Sequence, residues 1–575
     1  SARLARLFDL YWAVRMRELP DLATYSGYRG LDDLWPDQSP AAIAAFHRIA
    51  RAERTALASI DASALAESER VDKELLRRRL ELQIEGERFH ELEPFRSELL
   101  LIDQMDGIDQ DLVSLLTYMP ARTVADFETM LARLRGFPAA ADQTIAALAR
   151  GLAAGITPPR VTLRSVPDRV RSLAAQDPLK SPALEPFRRL PETIPAAERE
   201  RLRKEAVGTF TERVVPALRK LSAFLETTYV PRARETVAMS DLPDGKAWYA
   251  FALRSYTTTS LGPEEIHRLG LAEVARLRAE MKALVAASGF QGTFAEYRRF
   301  LLDDPRFFYD RPEDLVAGYR DIAKRIDPEL VKLFGRLPRL PYGVKEMEGD
   351  AAKTAPAAYY SAGAPGGGMP GWFLVNSYDL RSRPKWAMES LTLHEAVPGH
   401  HLQYALAAEL GELPEWRRND VYPPFSEGWA LYAESLGSEL GLYSDAPAKF
   451  GRLSNEMWRA LRLVVDTGLH ANGWTRQQAI DAYAADSGKP AREIEAEVDR
   501  VIARPGTVPV YKLGELKIRE LRSFAERELG AAFDTRAFHD HLLGHGQLPL
   551  DFLEKRVQGW VERVRRGTEA PGRPR

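Results

Sequence analysis

The sequence contains no cysteine. That absence excludes disulfides, thiolate metal sites and a cysteine nucleophile, so any metal has to be held by histidine and carboxylate. It does not choose between compartments, because exported and cytosolic chains can both do without thiols. There is no apolar run approaching the roughly 18 residues needed to cross a bilayer. Neither sign of charge is in excess: 80 Lys and Arg face 82 Asp and Glu, for a net charge of -2. A nucleic-acid-binding chain would carry a strong basic surplus, so none is expected here. The opening segment SARLARLFDLYW lacks the build of a signal peptide. The expectation is an exported or periplasmic protein, with any signal peptide absent from this chain. Histidine is also scarce, at ten residues in 575, so any clustering of it is informative.

What is present is the material of helices. Residues 65 to 93, 126 to 153, 198 to 228, 263 to 287 and 312 to 335 repeat apolar positions at three- and four-residue steps over a charged background. Alanine, leucine, arginine and glutamate dominate them, all good helix formers. Eight prolines between positions 158 and 195 interrupt any long helix there and predict a connection with short helices. Residues 356 to 370 (PAAYYSAGAPGGGMP) predict a loop, and the aromatic run GWFLVN after it predicts a strand. Residues 572 to 575 read as a frayed end, and no internal repeat is visible.

Three of the ten histidines fall within eight residues, in LTLHEAVPGHHLQ: His394, His400 and His401. Glu395 follows His394 directly. The usual helical zinc-peptidase motif places two histidines four apart around a catalytic glutamate. Here Pro398 occupies the fourth position. In a straight helix a step of six turns the side chain about 120° off the face, and a step of seven separates backbones by roughly 10 Å. Straight geometry therefore slightly favours His401. Pro398, however, cannot donate to the His394 carbonyl, so a bulge or kink at Val397–Pro398 is expected, and a bulge that absorbs the two extra residues would bring His400 into the position of the second histidine, which leaves both His400 and His401 as candidates.

Residues 425 to 436 (FSEGWALYAESL) read as a helix on which Glu427 and Glu434, seven apart, share a face. A carboxylate on a half-apolar helix needs a partner. Glu427 is the natural third metal ligand, and Glu434 an acceptor for the far nitrogen of a ligating imidazole. In WRALRLVVDTGLH, Arg462, Asp466 and His470 recur every four residues and suggest a buried ion network. Asp466 is assigned to orienting a ligand and His470 to touching substrate. Lys512 and Arg504 are candidates to receive a substrate carboxylate. His539, His541 and His545 are read as structural.

The motifs HEAVPGHHLQ, FSEGWALYAESLG, RLVVDTGLH, PVYKLGELKIRELR and FHDHLLGHGQLPL resemble those of a bacterial family catalogued as domain of unknown function 885. The resemblance runs from about Leu4 to Leu553. It implies that the histidine after the glycine, His400, is the fixed one. More distantly the site resembles the helical glutamate-zincin peptidases of the thimet-oligopeptidase and thermostable-carboxypeptidase types. Their pattern of a Gly-His pair, a later Glu and another Glu seven on is matched by Gly399-His400, Glu427 and Glu434. It departs by two residues inserted before Gly399. The resemblance implies a late tyrosine donating to an oxyanion, for which Tyr511 is the candidate.

The expected fold is mainly α: a large two-lobed helical body with a cleft and a small β-sheet beside the metal-site helix. Residues 1–575 would form one hydrolase-like unit, with a helical N-terminal lobe over 1–190 and a metal-site lobe over 191–575. The expected chemistry is zinc-dependent hydrolysis of amide bonds in short peptides, with zinc on His394, His400 and Glu427 and Glu395 as general base. Trp372 and Asn376, in the strand, would hold an extended peptide by edge addition, under a Gly-rich loop at 363 to 371. Two alternatives stand beside this: an amidase acting on a non-peptide metabolite, and a non-catalytic binding protein whose motif no longer holds metal.

Overall fold

The computed structural model describes residues 1–94, 96–347, 355–363, 368–411 and 413–568. The protein is mainly α-helical, with a two-stranded and a three-stranded sheet among the described residues. The middle of the loop expected at 356 to 370, residues 364 to 367, lies outside them, as does the end at 572 to 575.

The helices form where the apolar stripe and the caps agree. Val124–Ala154 starts on Thr123, whose hydroxyl accepts from the Asp126 amide while the Asp126 carboxylate accepts from the Thr123 amide. That reciprocal pair satisfies donors the helix leaves open. The stripe Phe127, Met130, Leu131, Leu134 and Phe137 is fully buried. The helical run beginning at Ala196 continues to Arg232, beyond the expected 228, and widens into π turns at Phe210–Val214 and Leu225–Tyr229. Pro216 and Pro231 follow these turns, and the widening makes room for a ring that would otherwise strike the preceding carbonyl. The segment expected as helix over 65 to 93 stops earlier, at Gly86. His90 adopts φ 56, and the chain leaves as strand β1 (Glu91–Glu93), antiparallel to β2 (Arg96–Ser97). Likewise the helix expected to reach 335 ends at Ile326, because Pro328 follows and tightens the next turn.

The chain divides into two compact units, Ser1–Trp248 with Pro414–Asn419, and Tyr249–Leu413 with Asp420–Arg575. The first is a helical body around the core that includes the stripe just described. The second carries every residue singled out for chemistry. Its sheet has the order β3 (Tyr342–Glu346), β5 (Gly371–Val375), β4 (Ala358–Ser361), with β3 parallel and β4 antiparallel to β5. The expected strand is therefore real, but it is the central one. Both of its edges are already paired, so edge addition of a peptide to Trp372–Asn376 is not available.

Two helices of this unit cross at unusually close range. Pro423–Ser435, the glutamate helix, meets Val510–Leu529, the tyrosine helix, at Gly428 and Gly514. A Cβ on Gly428 would stand 2.5 Å from the Gly514 Cα, and one on Gly514 would stand 1.9 Å from the Pro424 carbonyl oxygen. Only glycine permits that contact. It fixes Glu427 and Tyr511, each next to a crossing residue or one turn from it, relative to one another. Among the described residues no helix is long and apolar enough to cross a membrane.

Candidate metal centre

The centre begins with a broken helix. Met388–Glu395 ends at Ala396, whose ψ of -110 leaves the helical range. Pro398 has no amide hydrogen to continue the ladder. A second helix, His400–Ala408, starts afresh, with the His401 amide donating to the Ala396 carbonyl at 3.0 Å and the Gln403 amide to that of Gly399 at 3.1 Å. The expected kink is thus a complete break between two helices. Gly399 makes it possible: a Cβ there would lie 1.9 Å from the His394 carbonyl oxygen and 2.3 Å from that of Leu393. The Trp429 indole holds the link by donating to the Pro398 carbonyl at 2.8 Å. Gly399→Ala should therefore push the two helices apart. We expect it to destabilise the protein by about 3 kcal/mol in denaturant titration and to lower metal content in parallel.

The break sets the His394 and His400 rings 4.9 Å apart with planes at 86°. Glu427 reaches between them, its Oε2 3.5 Å from Nε2 of each histidine. One nitrogen from each ring and a Glu427 oxygen all lie within 4.8 Å of one another. Around a tetrahedral zinc with N and O ligands at roughly 2.0–2.2 Å, ligand atoms stand about 3.4 Å apart. Two imidazoles and one carboxylate are also the donor set used by catalytic zinc. The residues fit the ion.

Glu434, two turns after Glu427, takes the other side of His394, with Oε1 2.9 Å from Nδ1. Its second oxygen accepts from the Ser390 hydroxyl, and its backbone carbonyl accepts from the Tyr443 hydroxyl at 2.8 Å. Arg459 approaches the same carboxylate at 3.8 Å. An imidazole donating from Nδ1 to a fixed acid presents its Nε2 lone pair to a metal. Burial alone would keep His394 neutral, but its bonds to Glu427 and Glu434 prevail and lift its pKa to about 9. Burial works against ionisation of Glu427 too, yet the two histidines hold its carboxyl well below the ordinary range. The cluster thus stabilises positive charge at its centre, which a divalent cation supplies once both imidazoles are deprotonated. Burial raises the Glu395 carboxyl, with His394 and His400 opposing.

His401 turns away from this cluster. Its Nδ1 lies 2.9 Å from the Tyr360 hydroxyl, and its ring packs 4.6 Å from that of Tyr342. Burial pushes its pKa down to about 4. It ties the sheet to the second helix, which leaves His400 as the histidine facing Glu427.

Several sequence-derived assignments are not met. Lys512 is wholly buried, its Nζ 2.8 Å from Glu456, 2.8 Å from Glu515 and 3.1 Å from Glu273, and cannot face substrate. Asp466 accepts from the Tyr249 hydroxyl and from the Gly506 amide at 3.1 Å, so it pins a turn rather than a ligand. His470 is fully buried, with Nε2 3.0 Å from the Val501 carbonyl and its ring against Tyr249. The Asn376 amide donates to the Ala355 and Pro356 carbonyls, and Trp372 lies beneath the Lys345 ammonium at 4.6 Å. All four of the residues Lys512, His470, Asn376 and Trp372 are thus engaged within the protein. Tyr511 stands three residues before Gly514, the point at which its helix crosses the glutamate helix. Its hydroxyl accepts from Arg500 at 3.4 Å.

Residues that sequence reasoning passed over are Ser390, Tyr404 and Arg459. The first two stand four positions from His394 and His400, a spacing that places them on the same helix faces. Arg459 precedes Arg462 by one turn and had no local signal.

His539 and His541 are structural. His539 is sandwiched by Phe334 and Trp429, with Nδ1 at 2.9 Å from the Leu333 carbonyl and Nε2 at 2.9 Å from the Tyr432 hydroxyl. Burial lowers the pKa of both to about 3. Each binds its proton more readily unfolded, so the stability they contribute is complete above about pH 6.5 and is lost as the pH falls toward 3. The unfolding free energy should drop by about 1.4 kcal/mol per pH unit for each histidine in that window. His539→Gln should flatten the slope, which denaturant titrations at pH 7 and pH 5 would read.

The family model "Bacterial protein of unknown function (DUF885)" matches residues 20–557. A candidate lipoprotein from Colwellia psychrerythraea has a similar crystal structure, with a TM-score of 0.92 and 27% identity over 97% of this chain and 99% of that one. A second, a candidate lipoprotein of unknown function from Shewanella oneidensis, gives a TM-score of 0.75 at 18% identity over 96% of this chain and 99% of the other, a likeness of fold. No curated protein matches the sequence.

Proposed function

For a chain that belongs to the bacterial DUF885 family, we propose zinc-dependent hydrolysis of amide bonds, with short peptides as substrate. The observation that carries this reading is the convergence of His394, His400 and Glu427, with ligand atoms within 4.8 Å, directly beside the buried carboxyl of Glu395. Zinc, when bound there, supplies Lewis acidity toward a carbonyl and toward water. Glu395 accepts the proton of the attacking water and returns it to the leaving amine; its burial-raised pKa suits a group that must both take and give. Glu434 holds His394 in one tautomer. Tyr511, whose oxygen accepts from Arg500, is the candidate to donate its hydroxyl to a substrate oxygen. Ser390 and Arg459 fix Glu434 in turn. Relatives called lipoproteins support a place for this protein outside the cytoplasm.

The test is cleavage of a mixed short-peptide library, alongside a panel of non-peptide amides, with and without a zinc chelator. We expect peptide cleavage that the chelator abolishes and added zinc restores. Cleavage confined to the non-peptide amides would reassign the substrate, and cleavage indifferent to the chelator would refute the metal's role.

A further inference from the structure

The helix Ala446–His470 links the candidate centre to a second group of charges. Arg459 approaches Glu434 at 3.8 Å. Arg462, three residues on and hence about 4.5 Å along the axis, lies over the Tyr511 ring with Cζ 4.3 Å from its centroid. Arg500, from helix Ala491–Ala503, donates to the Tyr511 hydroxyl at 3.4 Å. Both arginines share a single carboxylate, Glu497, at 2.6 Å from Arg462 and 3.4 Å from Arg500. Among the described residues no second carboxylate pairs with either of them. One guanidinium charge is therefore in surplus beside Tyr511, which stands three residues before Gly514, the point at which its helix crosses the glutamate helix.

The two arginines differ in access. Arg462 is buried at 7% side-chain exposure, whereas Arg500 is 32% exposed. Arg462 thus acts as a fixed support and Arg500 as the group that can meet something new. A planar guanidinium held by an aromatic hydroxyl is suited to a carboxylate, which it can engage through two parallel hydrogen bonds. A surplus cation in a partly desolvated place carries a cost that an incoming anion offsets.

We propose that Arg500, supported by Arg462 and Tyr511, receives a carboxylate carried by the substrate, so that the preferred substrates are anionic peptides. This rests on the hydrolase reading for its consequence in turnover, though not for the binding itself. The anion is either a free peptide C-terminus or an acidic side chain. The role first assigned to Lys512 and Arg504 thereby passes to a residue that is partly exposed.

The experiment compares three matched peptides: a neutral one as the free acid, the same peptide as its C-terminal amide, and that amide with one Glu introduced. Each is measured for kcat/KM and, by calorimetry, for Kd, on the wild type, Arg500→Gln and Arg500→Lys. We expect at least one anionic form to exceed the neutral amide by tenfold or more. Arg500→Gln should bring that ratio near one, and Arg500→Lys should retain part of it. A ratio raised only for the free acid identifies the C-terminus; one raised only for the Glu peptide identifies the side chain. Binding preference lost in Arg500→Gln with no hydrolysis at all would sustain the carboxylate site and refute the hydrolase. Equal treatment of all three peptides by the wild type, or a preference unchanged in Arg500→Gln, would overturn the carboxylate site whatever the turnover.

Discussion

Glu395→Gln is expected to keep its zinc and lose about a thousandfold in kcat. The amide is nearly isosteric, so packing around the 7%-exposed side chain persists. The three proposed ligands are other residues, so metal content should equal that of the wild type. What disappears is the ability to accept a proton, and a positioned general base contributes typically 10²–10⁴-fold. Replacing a carboxylate whose ionisation is opposed by burial should leave the unfolding midpoint where it was or slightly higher. Turnover on a cleaved peptide, elemental analysis and a melt on the same preparation therefore separate a chemical defect from a structural one. Normal turnover by this variant would remove Glu395 from the mechanism.

The second large effect concerns stability. Lys512→Met should cost about 3 kcal/mol at pH 7, because removing one partner of a buried ion cluster leaves uncompensated charge. Three carboxylates, Glu273, Glu456 and Glu515, close on the ammonium. Arg276, Arg452 and Arg519 pair with the same acids from the more exposed side and keep the loss from being greater. Glu515 is the most affected, because burial already raises its pKa and Lys512 is the first group opposing that rise. The variant's deficit should consequently shrink as the pH is lowered and the acid takes up a proton. A group that served substrate would behave differently: KM would rise and the unfolding midpoint would stay in place.

Lys512 also shows where the sequence stops being readable. The candidate metal ligands could be named from the sequence because two of them lie in one short motif. Spacing on a straight helix slightly favoured His401, and only the bulge expected at Pro398 and the family resemblance pointed to His400; Glu427 and Glu434 span two turns of another helix and so share a face. Even there Pro398 signalled only that the helix could not continue. That it ends outright depends on Gly399 pressing against the Leu393 and His394 carbonyls, a contact with no periodic signature. The stripe Arg462, Asp466, His470 was rightly seen as buried polar groups, but its partners are Glu497, Tyr249 and Val501. Those lie 35, 217 and 31 residues away in sequence. Nothing on one helix face states whether it turns toward a metal or toward another helix. The strand at Gly371–Val375 was visible from its aromatic run. Its central position was not, because β3 and β4 are short and β4 (Ala358–Ser361) lies inside the Gly/Pro-rich segment 356 to 370 that was expected to be loop throughout.

The mainly helical fold with a small sheet followed from periodicity and composition. The side-chain roles that depended on long-range packing did not.

An anomalous difference map at the zinc edge, from crystals of protein supplied with zinc, tests the central claim most directly. The account predicts one strong peak about 2.0–2.2 Å from His394 Nε2, His400 Nε2 and a Glu427 carboxylate oxygen. No peak at that position, or zinc bound instead through His401, would contradict it.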